Sequence, residues 1–254
     1  MIRLGPSGFS YDDWVGTVYP PDLPPREWLA YIAREFSTIE LNVTYYRVPG
    51  IRTVVGWAER TPEGYLFSVK AHRSLTHERV QPDFKAFRRG IEPLRERGKL
   101  ACVLAQFPHS FHPGSKNRSY LVQLREGLAD LPVVVELRDR AWLTEETFDQ
   151  LEELRLSYCC VDEPALPGLM PPISRATGPL AYVRFHGRNA RQWWDHEQAW
   201  QRYDYTYSES ELAEWIPRLQ QLDAERPLTL VYANNHYRGQ AIDALRKLQA
   251  MLAG

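Results

Sequence analysis

Eight short apolar runs, each followed by a connection long enough for a helix, constrain this chain more than any other feature. They are Ile2–Gly5, Thr38–Asn42, Leu66–Lys70, Leu100–Phe107, Val133–Arg138, Leu156–Asp162, Leu180–His186 and Leu228–Asn234. Runs of this length, rich in β-branched and aromatic residues and bounded by turn residues, read as strands. Helical spacing fills most intervals. Pro25–Phe36 opens on a Pro-Pro pair and lays Trp28, Leu29, Ile32 and Phe36 along one face. Comparable stripes fit 51–60, 83–97, 116–129, 144–155 and 209–222, and Ile242, Leu245, Leu248 and Leu252 mark a last helix. The proline-rich stretch 163–178 and the aromatic stretch 187–207 have no helical period and read as irregular loops after strands six and seven. Parallel strands need crossover connections, and eight βα units in about 250 residues predict an α/β fold, a single (β/α)8 TIM-type barrel domain over 1–254. The doubly wound alternative normally carries GxGxxG after its first strand, and none follows Ile2–Gly5.

Composition excludes several classes. Lys plus Arg is 31 and Asp plus Glu is 32, so the net charge is −1 and the chain is not a globally basic nucleic-acid coat. No apolar run approaches the ~18 residues of a membrane span. The N-terminus lacks the apolar core of a secretion signal. Three cysteines, Cys102, Cys159 and Cys160, form neither a CxxC nor a disulfide framework. A reducing, cytoplasmic location is the expectation.

Alternate strand residues point to opposite faces. Dividing each run by parity gives one wholly small or apolar set: Ile39/Leu41, Phe67/Val69, Val103/Ala105, Val135/Leu137, Cys159/Val161, Val183/Phe185 and Val231/Ala233. The other set gathers Glu40/Asn42, Ser68/Lys70, Leu104/Gln106, Glu136/Arg138, Cys160/Asp162, Arg184/His186 and Tyr232/Asn234. Its polar members lie toward the C-terminal strand ends, where barrel enzymes keep their sites. A structural charge network is the bland alternative, but an isolated buried carboxylate costs several kcal/mol, so seven strands converging this way point to a site.

The chemistry follows from the residue types. Glu40, Glu136 and Asp162 are candidate general bases, and His186 a candidate acid or proton shuttle. Lys70, Arg138 and Arg184 suit a small anionic ligand such as a phosphate or carboxylate. Asn42, Gln106, Asn234 and Asn235 add neutral donors and acceptors. Ser7, in a glycine-flanked turn, and Tyr45 and His77, on loops over the mouth, complete the expected binding set. Glu40, Glu136, Asp162 and His186 are adequate divalent-metal ligands, but the neighbouring cations oppose a metal, so no cofactor or metal is expected. The stretch 187–207 holds Trp193, Trp194, Trp200, Tyr203, Tyr205 and Tyr207, a composition suited to a lid, a stacking platform or an interface.

The chain also resembles the DUF72 family, the YecE-like proteins. The resemblance is carried by Gly5-Pro6-Ser7-Gly8-Phe9-Ser10-Tyr11 with Trp14, Glu40-Leu41-Asn42-Val43-Thr44-Tyr45-Tyr46, Phe67-Ser68-Val69-Lys70 with Leu75-Thr76-His77, and Gln106-Phe107-Pro108. It continues through Val135-Glu136-Leu137-Arg138 with Trp142, Tyr182-Val183-Arg184-Phe185-His186-Gly187-Arg188, Tyr203-Asp204-Tyr205, and Asn234-Asn235-His236-Tyr237-Arg238-Gly239. Asp139, Ala141 and Ala233 depart from the His, Ser and Phe expected there. The resemblance implies a TIM-type barrel and no particular reaction. The leading expectation is a hydrolase or a lyase/isomerase acting on a small anionic, phosphorylated or sugar-like substrate. The alternatives are a nucleic-acid-processing barrel resembling endonuclease IV-type enzymes, by analogy of fold alone, and a non-catalytic ligand-binding or interaction protein.

Overall fold

The computed structural model describes residues 1–253. Its strands are β1 (Ile2–Pro6), β2 (Thr38–Leu41), β3 (Leu66–Lys70), β4 (Leu100–Gln106), β5 (Val133–Glu136), β6 (Leu156–Asp162), β7 (Ala181–Phe185) and β8 (Thr229–Ala233). All pair in parallel in the order β1-β8-β7-β6-β5-β4-β3-β2, a nearly closed (β/α)8 TIM-type barrel. The alternating helices are α1 (Trp28–Ile32), α2 (Ile51–Glu59), α3 (Phe84–Glu96), α4 (Ser115–Leu128), α5 (Glu145–Glu153), α6 (Glu209–Ala213), α7 (Ile216–Glu225) and α8 (Gln240–Ala253). No helix among the described residues is long and apolar enough to cross a membrane.

The seam between β1 and β2 is bridged at Ser7 and Glu40. Gly5 permits the close approach, since a Cβ there would lie 2.0 Å from the Thr38 carbonyl oxygen. Side chains also tie the seam across the lumen, where the Thr38 hydroxyl meets Tyr232 Oη at 2.6 Å.

Two expectations change. The stripe over 209–222 predicts one helix, but the structure has two. Pro217 lacks an N–H and its ring opposes the carbonyl four residues back, so α6 ends at Ala213 and α7 starts again at Ile216. The break places Trp215 inward, fully buried. The second change is the parity of β6. Cys159 pairs with Tyr182, whose hydroxyl points into the lumen toward Ser68 and Glu40, so Cys159 faces inward and Cys160 outward. Cys159 Sγ lies 4.0 Å from Glu136, whereas Cys160 Sγ contacts the Arg175 backbone outside the sheet.

Candidate functional site

The lumen is filled by a polar stack. Low in the barrel, Tyr182 Oη sits between Ser68 Oγ at 2.7 Å and Glu40 Oε2 at 2.6 Å. Above it the Arg184 guanidinium donates from Nη2 to Glu40 at 2.7 Å and from Nη1 to Glu136 at 2.6 Å. Arg138 Nε pairs with the other Glu136 oxygen at 2.5 Å, and its Nη1 reaches Glu163 at 3.3 Å. The result is an alternating chain, Glu40–Arg184–Glu136–Arg138–Glu163, in which Arg184 is 1% exposed.

His186 completes the stack at the end of β7. Its Nε2 lies 3.1 Å from Glu136 and 3.2 Å from Arg138, and Asn234 Nδ2 lies 3.2 Å from its Nδ1. If the amide nitrogen donates to Nδ1, Nε2 carries the proton and gives it to Glu136. Burial, then the Arg138 charge, pushes the imidazole down to about 3, so it is neutral at physiological pH. That state makes it a fixed hydrogen-bonding group.

Two carboxyls flank Arg138 in opposite protonation regimes. Burial alone would raise Glu136, but Arg138, Arg184 and His186 outweigh it and hold Glu136 well below the usual carboxylate range. Glu163, the residue after β6, is 4% exposed. Burial pushes it up to about 7 against the pull of Arg138 and of the Met170 N–H, which donates at 2.9 Å. Glu163 is the acid that sequence parity overlooked. With β6 in its observed register, Cys159, Val161 and Glu163 share the luminal side, and the signal was the second member of the Asp162-Glu163 pair.

Asp162 is the correction that follows. It does not join Glu40 and Glu136; it lies on the outer side of β6 and accepts from Tyr207 Oη at 2.6 Å, Trp215 Nε1 at 2.7 Å and the Arg188 guanidinium at 2.8 Å. Arg188 also reaches Glu214. Gly187, at φ 87°, donates its N–H to Tyr207 Oη, and a Cβ there would meet Tyr205 at 2.7 Å. Asp162 therefore fastens the segment 187–207 as a strap over the β7–β8 side of the mouth. Trp193 and Tyr203 of that strap lie 6.4 Å and 6.2 Å from the His186 ring. Asp162→Asn is expected to cost about 1–3 kcal/mol, the value of a buried charge-assisted bond. It should also speed limited trypsin cleavage after Arg188 and Arg202; unchanged cleavage would separate Asp162 from strap order.

The remaining expected residues divide by access. Ser7, Asn234 and Asn235 are buried. Ser7 Oγ and Asn235 Oδ1 have no hydrogen-bond partner among the described residues, while Asn235 Nδ2 donates to the Tyr205 carbonyl of the strap. Asn42, Tyr45, Lys70, His77 and Gln106 stay partly exposed at the ends of β2, β3 and β4, so approach to the lumen lies on that side. Gln106 Nε2 is engaged by the Phe107 carbonyl at 2.6 Å, and Asn42 Oδ1 is buried without a partner. His77 sits in a π-helical turn, Ser74–Glu78, with its ring 4.9 Å from that of Tyr45. Burial, followed by the Lys70 and Arg138 charges, lowers it to about 4. Lys70 Nζ lies 4.8 Å from the Tyr45 ring centre.

Of the two roles open to the three cations, holding an anion or pairing with the acids, the arginines take the second. Both arms of Arg184 are taken by Glu40 and Glu136, and Arg138 is shared between Glu136 and Glu163. Two surface clefts, of about 430 and 620 Å³, lie away from the cluster, one beside Arg3 and Tyr65 at the opposite end of the barrel and one beside Arg79 and Tyr120. No three His, Cys, Asp or Glu side chains among the described residues gather as a metal-binding group.

Comparison with known proteins agrees in extent and in shape. The family described as "Protein of unknown function DUF72" matches residues 3–254. The UPF0759 protein YunF of Bacillus subtilis (strain 168) is 31% identical over 270 residues, covering 99% of this chain and 95% of that protein. The crystal structure of a DUF72 family protein from Thermotoga maritima superposes with a TM-score of 0.93 at 41% identity, covering 100% of both chains. One from Enterococcus faecalis V583 superposes at 0.89 with 28% identity, covering 100% of this chain and 96% of the other. With the family matched along nearly its whole length and the barrel shared, the chain belongs to the DUF72 family.

Proposed function

We propose that the barrel mouth is the active site of a lyase or isomerase that moves a carbon-bound proton of a small, sugar-like substrate. Glu163 is its acid–base group and Glu136 the fixed anion beside it. The observation that carries this reading is the unequal pairing of two buried carboxyls across Arg138: Glu136 is met by Arg138, Arg184 and His186, which favours its ionised form, whereas Glu163 has only Arg138 at 3.3 Å and the Met170 N–H, and burial raises it toward neutrality. Two acids driven apart by their surroundings are how one site supplies a proton donor and a permanent charge at the same pH. A general acid–base group works best when it titrates near the working pH, and such a group contributes about 10²–10⁴-fold to rate.

The arginines hold carboxylates, which moves the reading from phosphate capture toward proton transfer on a neutral or singly charged substrate. Asp162, outside the barrel wall, does not combine with Glu40 and Glu136 into a metal cluster, which weighs against the endonuclease-like alternative.

The test is carbon–hydrogen exchange in D2O, followed by NMR, with pools of small hydroxy-aldehydes, hydroxy-ketones and hydroxy-acids. The wild-type protein should exchange a carbon-bound proton of at least one compound, and Glu163→Gln should slow that exchange by about 100-fold or more. Exchange in no pool, or equal exchange by both proteins, contradicts the proposal.

A further inference from the structure

We infer that Lys70 is a nucleophile that captures an aldehyde or ketone substrate as an imine, a step that rests on the proton-transfer reading above and names its substrate class as carbonyl compounds. Lys70 ends β3 on the luminal side and keeps partial exposure on the open flank of the mouth. Its Nζ has no carboxylate within ion-pair distance and no hydrogen-bond partner among the described residues, and it stands 4.8 Å from the Tyr45 ring centre. Here the nearby acids are taken: Glu40 by Arg184 and Tyr182, and Glu136 by Arg184, Arg138 and His186. With both carboxylates engaged by other partners, Lys70 is left on the entry side without an ion-pair partner of its own.

The electrostatics agree with the geometry. Burial, then the Arg184 charge, lowers the Lys70 amine to about 8. Desolvation next to other cations is the way enzymes prepare a lysine to attack a carbonyl. The step balances without an oxidant or reductant. The nitrogen lone pair forms a bond to the carbonyl carbon. The carbonyl oxygen takes one proton from the attacking nitrogen and one from an acid, and leaves as water. The iminium that remains keeps one N–H and accepts the electron pair when a neighbouring C–H or C–C bond breaks, giving an enamine. Proton removal at that carbon is the reaction proposed above, and the iminium supplies its electron sink.

The chain has five lysines, Lys70, Lys85, Lys99, Lys116 and Lys247, so adducts are read residue by residue. The intact protein is incubated at pH 7 with glycolaldehyde and cyanoborohydride, and the reduced adduct at each lysine is timed by peptide mass spectrometry. Lys70 should be labelled at least about tenfold faster than Lys85 and Lys116, with a rate that saturates in glycolaldehyde. Lys70→Arg should lose the fast phase and leave the other sites unchanged. Labelling of Lys70 no faster than the surface lysines, or a rate strictly linear in glycolaldehyde, overturns the assignment. The wild-type rates decide even if the variant does not fold. Slow labelling alongside Glu163-dependent exchange sinks the imine alone, whereas fast saturable labelling without exchange in any pool sinks the proton-transfer reading alone.

Discussion

Replacing Arg184 by Met is expected to lower the unfolding free energy by about 3–5 kcal/mol, the usual consequence of removing one partner from a buried ion network. Arg184 is 1% exposed, donates to both Glu40 and Glu136, and offsets the repulsion between them. Without it, two carboxylates with no exposed surface face each other across the lumen, and Glu40 keeps only the Tyr182 hydroxyl. Domains of this kind are stable by roughly 5–15 kcal/mol, so the variant should be marginal at 37 °C. The loss should be partly reversed in the Arg184→Met, Glu40→Gln double variant, because Glu136 still has Arg138 and His186. Urea unfolding of the four corner proteins measures the coupling. A loss below about 1 kcal/mol for Arg184→Met would mean the network is not a load on the fold.

Glu163 predicts the second large effect, and its sign is unusual for a carboxylate. The folded-state value of about 7 lies above the ordinary 4.5. Between those pH values the folded protein binds the proton that the unfolded chain has released, so stability falls as pH rises through this window. The gap corresponds to about 3 kcal/mol. Glu163→Gln removes the titration, so its stability relative to wild type should improve by about 3 kcal/mol between pH 4.5 and pH 8. The comparison must be with wild type at each pH, because three histidines act in the opposite direction. His186, lowered to about 3, His77, lowered to about 4, and His236, lowered by burial, refuse protons that the unfolded chain accepts below pH 6.5, and stability is lost as pH falls there. Those contributions cancel in the difference. A difference that stays flat from pH 4.5 to 8 would show that Glu163 titrates as an exposed carboxylate does.

Much of this site is legible in the sequence because strand periodicity is simple and local. Glu40, Glu136, Arg184 and His186 lie on the luminal side of their strands, and the apolar alternates Ile39, Phe67, Val103 and Val231 are buried. Parity fails at β6 for a definite reason. Leu156–Asp162 contains adjacent cysteines and ends beside adjacent acids, so its own pattern fits either face. The register is set by β5 and β7, where Val133 lies opposite Leu156 and Cys159 opposite Tyr182, and no local signal carries that pairing. The same one-residue shift exchanges a lumen-facing Asp162 for a strap-fastening one and brings Glu163 into the site. The sequence leaves two roles open for the cations, holding an anion or pairing with the acids, and no local pattern chooses between them. Three basic strand ends look like an anion site until the distances show Arg184 and Arg138 bound to acids and Lys70 alone without one. The apolar stripe over 209–222 masks the break that Pro217 makes between α6 and α7, and the inward Trp215 that it delivers to Asp162 is a tertiary contact.

The most direct test of an acid–base site at this mouth is the titration of Glu163 itself. Carboxyl-13C glutamate labelling, with the resonance assigned by its loss in Glu163→Gln, follows that one group by NMR from pH 3 to pH 9. The arrangement of Arg138 between Glu136 and Glu163 predicts a midpoint near 7 for Glu163, with Glu136 titrating well below the ordinary carboxylate range. A Glu163 midpoint at or below its ordinary 4.5 would contradict it, for both carboxyls beside Arg138 would then be fixed anions and neither would have a proton to give.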